Sequence, residues 1–241
     1  MNKIVPRFAG LDLDGPAPKK RILHFRSHAV MPPLKLMEQK CCFTDDFGGF
    51  KPNGLWVTVE GKDDWRQWCL SEKFRLINLR HIFEVKLKSD AAVLWVQNAD
   101  ELDSFSVRYK PVLSEEVMRR RGLTDDQVKA AMKFFGSSEM RRQRYMGIDW
   151  PSVAKEFQGI IIAPYIWDRR FDLLWYYGWD CASGCIWDPA AIASITLTKE
   201  RGVDEKAIKR EIHSRETPRR RKKLFERLKI WREEDDKRRG A

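Results

Sequence analysis

Residues Lys51–Cys69, KPNGLWVTVEGKDDWRQWC, contain a turn, a strand, a second turn and the start of a helix. Lys-Pro-Asn-Gly has the composition of a turn, because proline fixes its own φ and Asn-Gly tolerates positive φ. Leu55–Val59 consists of branched and aromatic residues and predicts a strand. Asp64 can cap a helix that begins at Trp65. These short elements cannot bury themselves, so we expect Leu55–Val59 to pair with Ile22–Phe25.

Periodicity and capping predict further strands and helices along the chain. The predicted strands are Ile82–Lys88, Ala92–Gln97 and a fully buried Ile160–Ala163. The predicted helices are Asp100–Phe105, capped by Asn98 or Asp100; Glu115–Arg121; Asp125–Phe135, with a capping box at Thr124 and Gln127; and Pro151–Phe157. We expect these elements to form an α+β domain.

Composition indicates a folded protein. Of the 241 residues, 43% are hydrophobic and 34% are charged, a balance typical of folded rather than disordered chains. No run of about 18 apolar residues occurs, which argues against a membrane span. The N-terminal sequence lacks the apolar core of a signal peptide, which indicates a cytoplasmic protein.

The five cysteines indicate reduced thiols, because their number is odd and no secretory signal accompanies them. Cys41, Cys42, Cys181 and Cys185 could together supply four zinc ligands. Adjacent cysteines chelate poorly, however, and neither pair has a CxxC spacing. We therefore predict no metal site.

Three segments resemble ADP-ribosyltransferases. RILHFRS, residues 21–27, resembles the first core strand of that superfamily, where a His precedes a short Gly/Ser/Thr stretch that grips NAD. NGLWVTVEGKDDWRQWC, residues 53–69, is similar to a strand and helix of the poly(ADP-ribose) polymerase branch. SGCIWDPAAI, Ser183–Ile192, resembles the last core strand of that branch. The resemblance implies a split β-sheet core with flanking helices, NAD as the substrate and transfer of ADP-ribose to an acceptor.

The resemblance also implies roles for residues of the first two segments. His24 would hydrogen-bond the nicotinamide-side ribose, and Ser27 would lie in the same pocket. Trp56 stands where the family has a Tyr that stacks on nicotinamide, and Thr58 could donate a hydroxyl nearby. Arg26 suits a pyrophosphate oxygen, since a guanidinium matches phosphate geometry. Alternatively, His24 is satisfied by a backbone partner beside the core, and Trp56 is an ordinary buried strand residue.

The third segment departs from the family pattern at the catalytic position. The family's Glu falls on Ser183, and a serine cannot carry the charge that stabilises an oxocarbenium-like ribosyl centre. Asp180 lies three residues earlier and could reach in, or it could only cap the turn before the strand. Three outcomes stay open: an enzyme that relies on Asp180, an enzyme that relies on its substrate's own nucleophile, and an inactive relic of a NAD site.

Tyr165–Trp179, YIWDRRFDLLWYYGW, is too aromatic for an ordinary exposed loop. In the resembled family, the segment before the last core strand presents the acceptor. Base-stacking and phosphate-binding candidates within it are Trp175, Tyr176, Tyr177, Trp179, Arg169 and Arg170. The alternative, slightly favoured, is that this stretch is core material.

The C-terminal residues 201–241 form a basic tail. They hold 16 Lys/Arg and 9 Asp/Glu, which is +7 of the chain's +11 net charge. Helices are predicted at Asp204–Arg215 and from Thr217 to about Arg239. Five consecutive cations occupy the first turns of the second helix, where the dipole disfavours them: Arg219, Arg220, Arg221, Lys222 and Lys223. An anionic partner such as nucleic acid is therefore expected.

These observations divide the chain into an arm at 1–20, an ADP-ribosyltransferase-like α+β domain at 21–200 and the tail at 201–241. The predicted activity is NAD-dependent ADP-ribosyl transfer to a nucleic acid or a nucleic-acid-associated protein. The rival prediction is a non-catalytic nucleic-acid-binding or assembly protein with a degenerate NAD site. NAD hydrolysis is a third and weaker possibility.

Overall fold

The computed structural model describes residues 20–39, 51–111, 115–120, 122–135, 147–200 and 202–215, together with 222, 226 and 233. Its centre is a mixed sheet with the strand order β4-β5-β6-β2-β1-β3-β7. The strands are β1 Ile22–Arg26, β2 Leu55–Val59, β3 His81–Leu87, β4 Val93–Val96, β5 Gly159–Ile162, β6 Ser183–Ile186 and β7 Ile192–Leu197. Among these described strands, β4 and β5 pair parallel, and the other neighbours pair antiparallel.

The strand pairing predicted at the start of the chain is confirmed. Ile22 pairs with Val59 and Leu23 with Thr58, so β1 and β2 are antiparallel neighbours. On its other side, β2 pairs along most of its length with β6. The three segments quoted for the family resemblance therefore form three adjacent strands at the centre of the sheet.

Six of the helices in the described residues lie where the sequence predicts them, and the short helix Leu174–Tyr177 was not predicted. The helices are α1 Trp65–Glu72, α2 Ala99–Arg108, α3 Glu115–Arg120, α4 Asp125–Phe135, α5 Trp150–Glu156, α6 Leu174–Tyr177 and α7 Glu205–Arg215, with single 3-10 turns at Leu76–Leu79, Trp167–Arg169 and Pro189–Ala191. Asn98, rather than Asp100, caps α2. The capping box of α4 forms as predicted, with hydrogen bonds in both directions between Thr124 and Gln127. The α+β class is thus confirmed, while the ADP-ribosyltransferase-like fold stays a prediction.

The main core is unusually aromatic. Trp150, Trp175, Trp179, Trp187 and Tyr176 are among its largest fully buried side chains. They belong to the same buried cluster as Ile160, Ile161 and Ile162 of β5, a strand whose four residues are all buried. The sequence alternative that made Tyr165–Trp179 core material is therefore right for the five buried residues Tyr165, Ile166, Trp175, Tyr176 and Trp179, whereas Trp167, Phe171 and Tyr177 are exposed.

A second, smaller core includes the first tail helix. Cys69, Leu76, Leu79 and Ile208 are its buried members, and Ile208 lies on α7. Gly202 packs so closely that a Cβ there would overlap the carbonyl oxygens of Leu79 and Arg80. The boundary at residue 200 stays a prediction, although Gly202 and Ile208 of the tail contact this second core.

Some predicted features lie outside the described residues. These are the arm up to residue 19, Cys41 and Cys42, and the second tail helix apart from residues 222, 226 and 233. Lys222 is helical and exposed. The other four cations of the Arg219–Lys223 run also lie outside, so their role stays a prediction.

Candidate functional site

A cavity of about 300 Å³ lies among β1, β2 and the start of β6. Its walls come from residues that are distant in sequence: Leu23, His24, Phe25, Lys51, Trp56, Val57, Thr58, Trp65, Asp180, Cys181 and Ser183. Five of the residues singled out from sequence, His24, Trp56, Thr58, Asp180 and Ser183, thus line one cavity. The volume is at the lower end for small-molecule sites.

The cavity exists because β1 and β2 pair over only two residues. Their pairing covers Ile22 with Val59 and Leu23 with Thr58, whereas β1 continues to pair with β3 through Arg26. At the next position, the strands are joined by a side chain instead: His24 Nδ1 lies 2.7 Å from the Trp56 carbonyl oxygen. The gap between the strands is where the cavity opens.

His24 has one satisfied and one free ring nitrogen. A carbonyl oxygen only accepts, so Nδ1 carries the proton and donates to Trp56. Nε2 is buried and has no hydrogen-bond partner in the described part of the chain. Burial lowers the pKa of His24 below its usual 6.5, and the nearby Arg26 charge lowers it further. The ring is therefore held neutral with Nε2 as an unused acceptor.

Trp56 forms an aromatic wall of the cavity. Its ring packs at a 60° tilt against Trp179, with centroids 4.9 Å apart. The ammonium of Lys51 lies 5.1 Å from the Trp56 ring centroid, within the range of a cation–π contact. Lys51 is an exposed residue overall, but burial of its ammonium end lowers its pKa, and the Asp180 charge counteracts that effect. Sequence reasoning missed Lys51, because the turn that contains it has no motif for the site.

Thr58 and Ser183 line the cavity with hydroxyls that the fold already uses. Thr58 Oγ1 donates to the Ala182 carbonyl at 2.6 Å and accepts from the Trp65 amide at 3.0 Å. Ser183 Oγ donates to the Cys181 carbonyl at 2.9 Å. Both side chains are buried. The predicted role of Thr58 as a free donor is therefore wrong, since its hydroxyl joins β2, α1 and the start of β6.

Asp180 supplies a carboxylate to the cavity wall. Its Oδ1 lies 3.4 Å from the Arg170 guanidinium, and both side chains are about one-quarter exposed. Burial raises the pKa of Asp180, while the positive charges of Lys51 and Arg170 counteract the increase. Asp180 makes no capping hydrogen bond among the described contacts, so the alternative of a turn cap is not what the structure shows.

The remaining predicted residues lie outside this cavity. Arg26 is at the end of β1, close enough to influence the pKa of His24, and Ser27 follows the strand end; neither lines the cavity. The Arg169 guanidinium is held by both carboxylate oxygens of Asp103 at 2.8–3.0 Å, so it is not free to bind a phosphate.

Three of the predicted base-stacking residues belong to the core. Trp175, Tyr176 and Trp179 are fully buried, and Tyr176 Oη accepts from the Ile166 amide at 3.0 Å. Their predicted role in binding an acceptor is wrong, because none of these rings has a free face. Tyr177, which follows Tyr176 on α6, is half exposed.

The cysteine thiols of the site are buried rather than reactive. Burial raises the pKa of Cys181 to about 12, so its thiol is protonated at neutral pH. Among the described residues, no cluster of three His, Cys, Asp or Glu side chains has the arrangement of a metal site. Within the same residues, no helix has the length and apolar character needed to cross a membrane.

Comparisons with protein-family models, curated proteins and solved structures found no match for this chain.

Proposed function

We propose that the cavity binds the nicotinamide-ribose end of NAD and that the protein is an ADP-ribosyltransferase-like enzyme. Its acceptor would be a nucleic acid or a nucleic-acid-associated protein. One observation carries this proposal: His24, Trp56 and Ser183, taken from three separate segments, line one cavity at the point where two central strands separate.

The groups of the cavity suit the nicotinamide riboside part of NAD. Neutral His24 can accept a hydrogen bond at Nε2 from a ribose hydroxyl. Trp56 offers an aromatic ring on which the nicotinamide ring can stack. A cavity of about 300 Å³ accommodates only part of a dinucleotide. The pyrophosphate and adenosine would extend outside.

In the proposed reaction, the bond between the ribose C1′ and the nicotinamide nitrogen breaks, and its electron pair leaves with nicotinamide. An acceptor nucleophile forms a new bond to C1′ and releases its proton to solvent. Asp180 is the carboxylate of the cavity that would stabilise positive charge developing on the ribose. The buried Ser183 hydroxyl, which donates to a backbone carbonyl, would not.

A second candidate is a protein that binds NAD or nucleic acid without catalysis. It is favoured by the environment of Asp180, which is already paired with Arg170 at 3.4 Å and has Lys51 nearby. A carboxylate engaged by two cations is less able to respond to a developing charge. Binding and turnover therefore need to be measured separately.

The test is a NAD titration followed by an assay of nicotinamide release. His24→Ala and Trp56→Ala are expected to weaken NAD binding about tenfold, because each removes a ground-state contact. Asp180→Asn is expected to keep most of the binding but to lower the release rate by at least about tenfold. The control is Asp90→Asn, at an exposed turn carboxylate away from the cavity.

The possible outcomes separate the two candidates. NAD binding without nicotinamide release would support the non-catalytic candidate. A parent-like release rate for Asp180→Asn would remove Asp180 from the chemistry. Absence of NAD binding by the intact protein would overturn the proposal as a whole.

A further inference from the structure

Three exposed aromatic rings surround one guanidinium on the loop beside the cavity. The exposed fractions of Trp167, Phe171 and Tyr177 are 53%, 79% and 50%. The Arg170 guanidinium carbon lies 5.9, 5.8 and 5.6 Å from their ring centroids, respectively. We refer to these four residues as the aromatic platform. Large aromatic side chains this exposed and this close together indicate a binding surface.

Contacts with α2 hold the loop that carries the platform in place. Arg169 forms a two-point ion pair with Asp103 of α2. Trp175 Nε1 donates to Ser106 Oγ at 3.1 Å, which fixes the start of α6 to the same helix. A surface fixed in this way loses little conformational entropy when a ligand binds to it.

The platform adjoins the cavity through a single ion pair. Arg170, at the centre of the rings, is paired with Asp180, and Asp180 lines the cavity. A ligand bound to the platform would therefore lie next to the carboxylate assigned to the proposed chemistry. It would also compete with Asp180 for the Arg170 guanidinium if it carried a phosphate.

The charges of this loop favour the stacking of bases over binding to a phosphate backbone. The exposed Asp168 and Asp172 balance Arg169 and Arg170, so residues 167–172 carry no net charge. A duplex binds through many phosphate contacts and keeps its bases stacked inside, and this loop offers it little. An unpaired base has two free faces and can stack on exposed aromatic rings.

We propose that the aromatic platform binds an unpaired base of a single-stranded nucleic acid. The chain's net charge of +11 would attract the strand, and the platform would hold one or two of its bases. This inference rests on the proposed function only for its further step, in which the bound strand is the acceptor of ADP-ribose. The binding itself requires no NAD.

The test uses the intact protein without NAD and a fluorescent single-stranded oligonucleotide of about ten nucleotides. Phe171→Ala is expected to weaken single-strand binding about tenfold, because one base loses the ring on which it stacks. Phe171→Trp keeps an aromatic ring at this position and is expected to bind like the parent. The matched control is Leu197→Ala, an exposed apolar residue on the outer strand β7. It should bind like the parent.

A duplex of the same sequence should bind with little difference between the parent and Phe171→Ala. Equal single-strand affinities of the parent and Phe171→Ala would overturn the inference. So would a Phe171→Ala variant whose duplex affinity falls as much as its single-strand affinity. A NAD titration of Phe171→Ala keeps the two proposals apart. Weakened strand binding with unchanged NAD binding supports the platform, whereas failure of NAD to bind the parent affects only the proposed function.

Discussion

At the scale of single residues, His24 shows how one hydrogen bond defines the chemistry of a site. Its Nδ1–H donates to the Trp56 carbonyl, across the gap where β1 and β2 stop pairing. This bond fixes the tautomer, and burial lowers the pKa of the ring. Protonation of His24 would place a buried charge close to the positive charge of Arg26.

His24 should therefore make the protein less stable in mild acid. The pKa of His24 is lowered below 6.5 in the folded protein, so the unfolded chain binds a proton first as the pH falls. The free energy of unfolding is expected to decrease below about pH 6.5, by about 1.4 kcal/mol for each unit between the two pKa values. Urea denaturation at about pH 7.5 and about pH 5 measures the difference.

In His24→Gln this acid-dependent decrease in stability should be smaller than in the parent. His213→Gln, at an exposed position on α7, serves as the control for the loss of a histidine. If the parent and His24→Gln lose equal stability between the two pH values, the assigned protonation state of His24 is wrong.

Sequence reasoning found those site residues that stand on strands with a recognisable pattern. His24 and Trp56 each lie in a short strand whose partner was predictable, and both reach the cavity. Lys51 was missed, since only folding brings its ammonium over the Trp56 ring. Trp175 and Tyr176 were predicted either to bind a ligand or to belong to the core, because composition alone does not separate a buried ring from an exposed one.

At the scale of elements, the turn between β2 and α1 joins the site to the sheet. Asp64 Oδ1 accepts from the Gln67 amide at 2.8 Å, and Oδ2 accepts from the Gly61 amide at 3.2 Å. The adjacent Trp65 amide is satisfied by Thr58 Oγ1. One carboxylate and one hydroxyl thus satisfy the backbone donors at the start of α1.

Asp64→Ala is expected to destabilise the protein by about 1 to 2 kcal/mol, because it leaves two amides without their acceptor at a buried position. Thermal or urea denaturation measures this destabilisation. Asp63→Ala is the matched control, since it removes a carboxylate one residue earlier that does not cap the helix. Equal effects of the two changes would show that net charge, and not capping, is responsible.

Element boundaries were predictable where a cap or a proline marks them. The capping box of α4 and Pro151 near the start of α5, where Asp149 is the cap, allowed the bounds of both helices to be predicted to within one residue. The strand β7 was not predicted, because Ser183–Ile192 was interpreted as one strand. The 3-10 turn Pro189–Ala191 divides it, and the chain then returns at the opposite side of the sheet beside β3.

At the scale of the whole molecule, the tail has two parts with different physical roles. The first part is structural, since Ile208 is buried with Leu76 and Leu79 and Gly202 fits tightly against the chain near Leu79. The second part, residues 216–241, contains 11 Lys/Arg and 6 Asp/Glu, a net charge of +5. Most of the tail's excess charge is therefore in the residues beyond the packed helix.

Two truncations should separate these roles. Removal of residues 201–241 exposes the second core and is expected to cost at least about 2 kcal/mol, the value of burying one large aliphatic side chain. Removal of residues 216–241 alone should leave the melting temperature close to that of the parent. Leu224, Leu228 and Trp231 stand at i, i+4 and i+7 in the predicted second tail helix and would form an apolar stripe. Aggregation of this shorter truncation would instead mean that these residues cover part of the domain.

The shorter truncation also tests how the protein binds nucleic acid. Phosphate contacts make affinity depend on salt, whereas stacking on the aromatic platform should depend on it little. Removal of residues 216–241 is therefore expected to lower affinity for single strands and duplexes alike, and to reduce the slope of log K against log salt by roughly one unit for each phosphate that the protein no longer binds. Phe171→Ala should lower single-strand affinity with an unchanged slope.

The truncated protein and Phe171→Ala are each titrated against single-stranded and duplex oligonucleotides at several salt concentrations, which measures the affinity and the slope together. A full-length variant with five Gln substitutions reproduces the charge reduction without shortening the chain; it changes Arg219, Arg220, Arg221, Lys222 and Lys223. If the cations act by binding phosphate, this variant should show most of the reduction in slope seen for the truncation. If slope and affinity stay at parent values in both the truncated protein and the variant with five Gln substitutions, the tail serves a protein partner. Single-strand binding then depends on the platform alone.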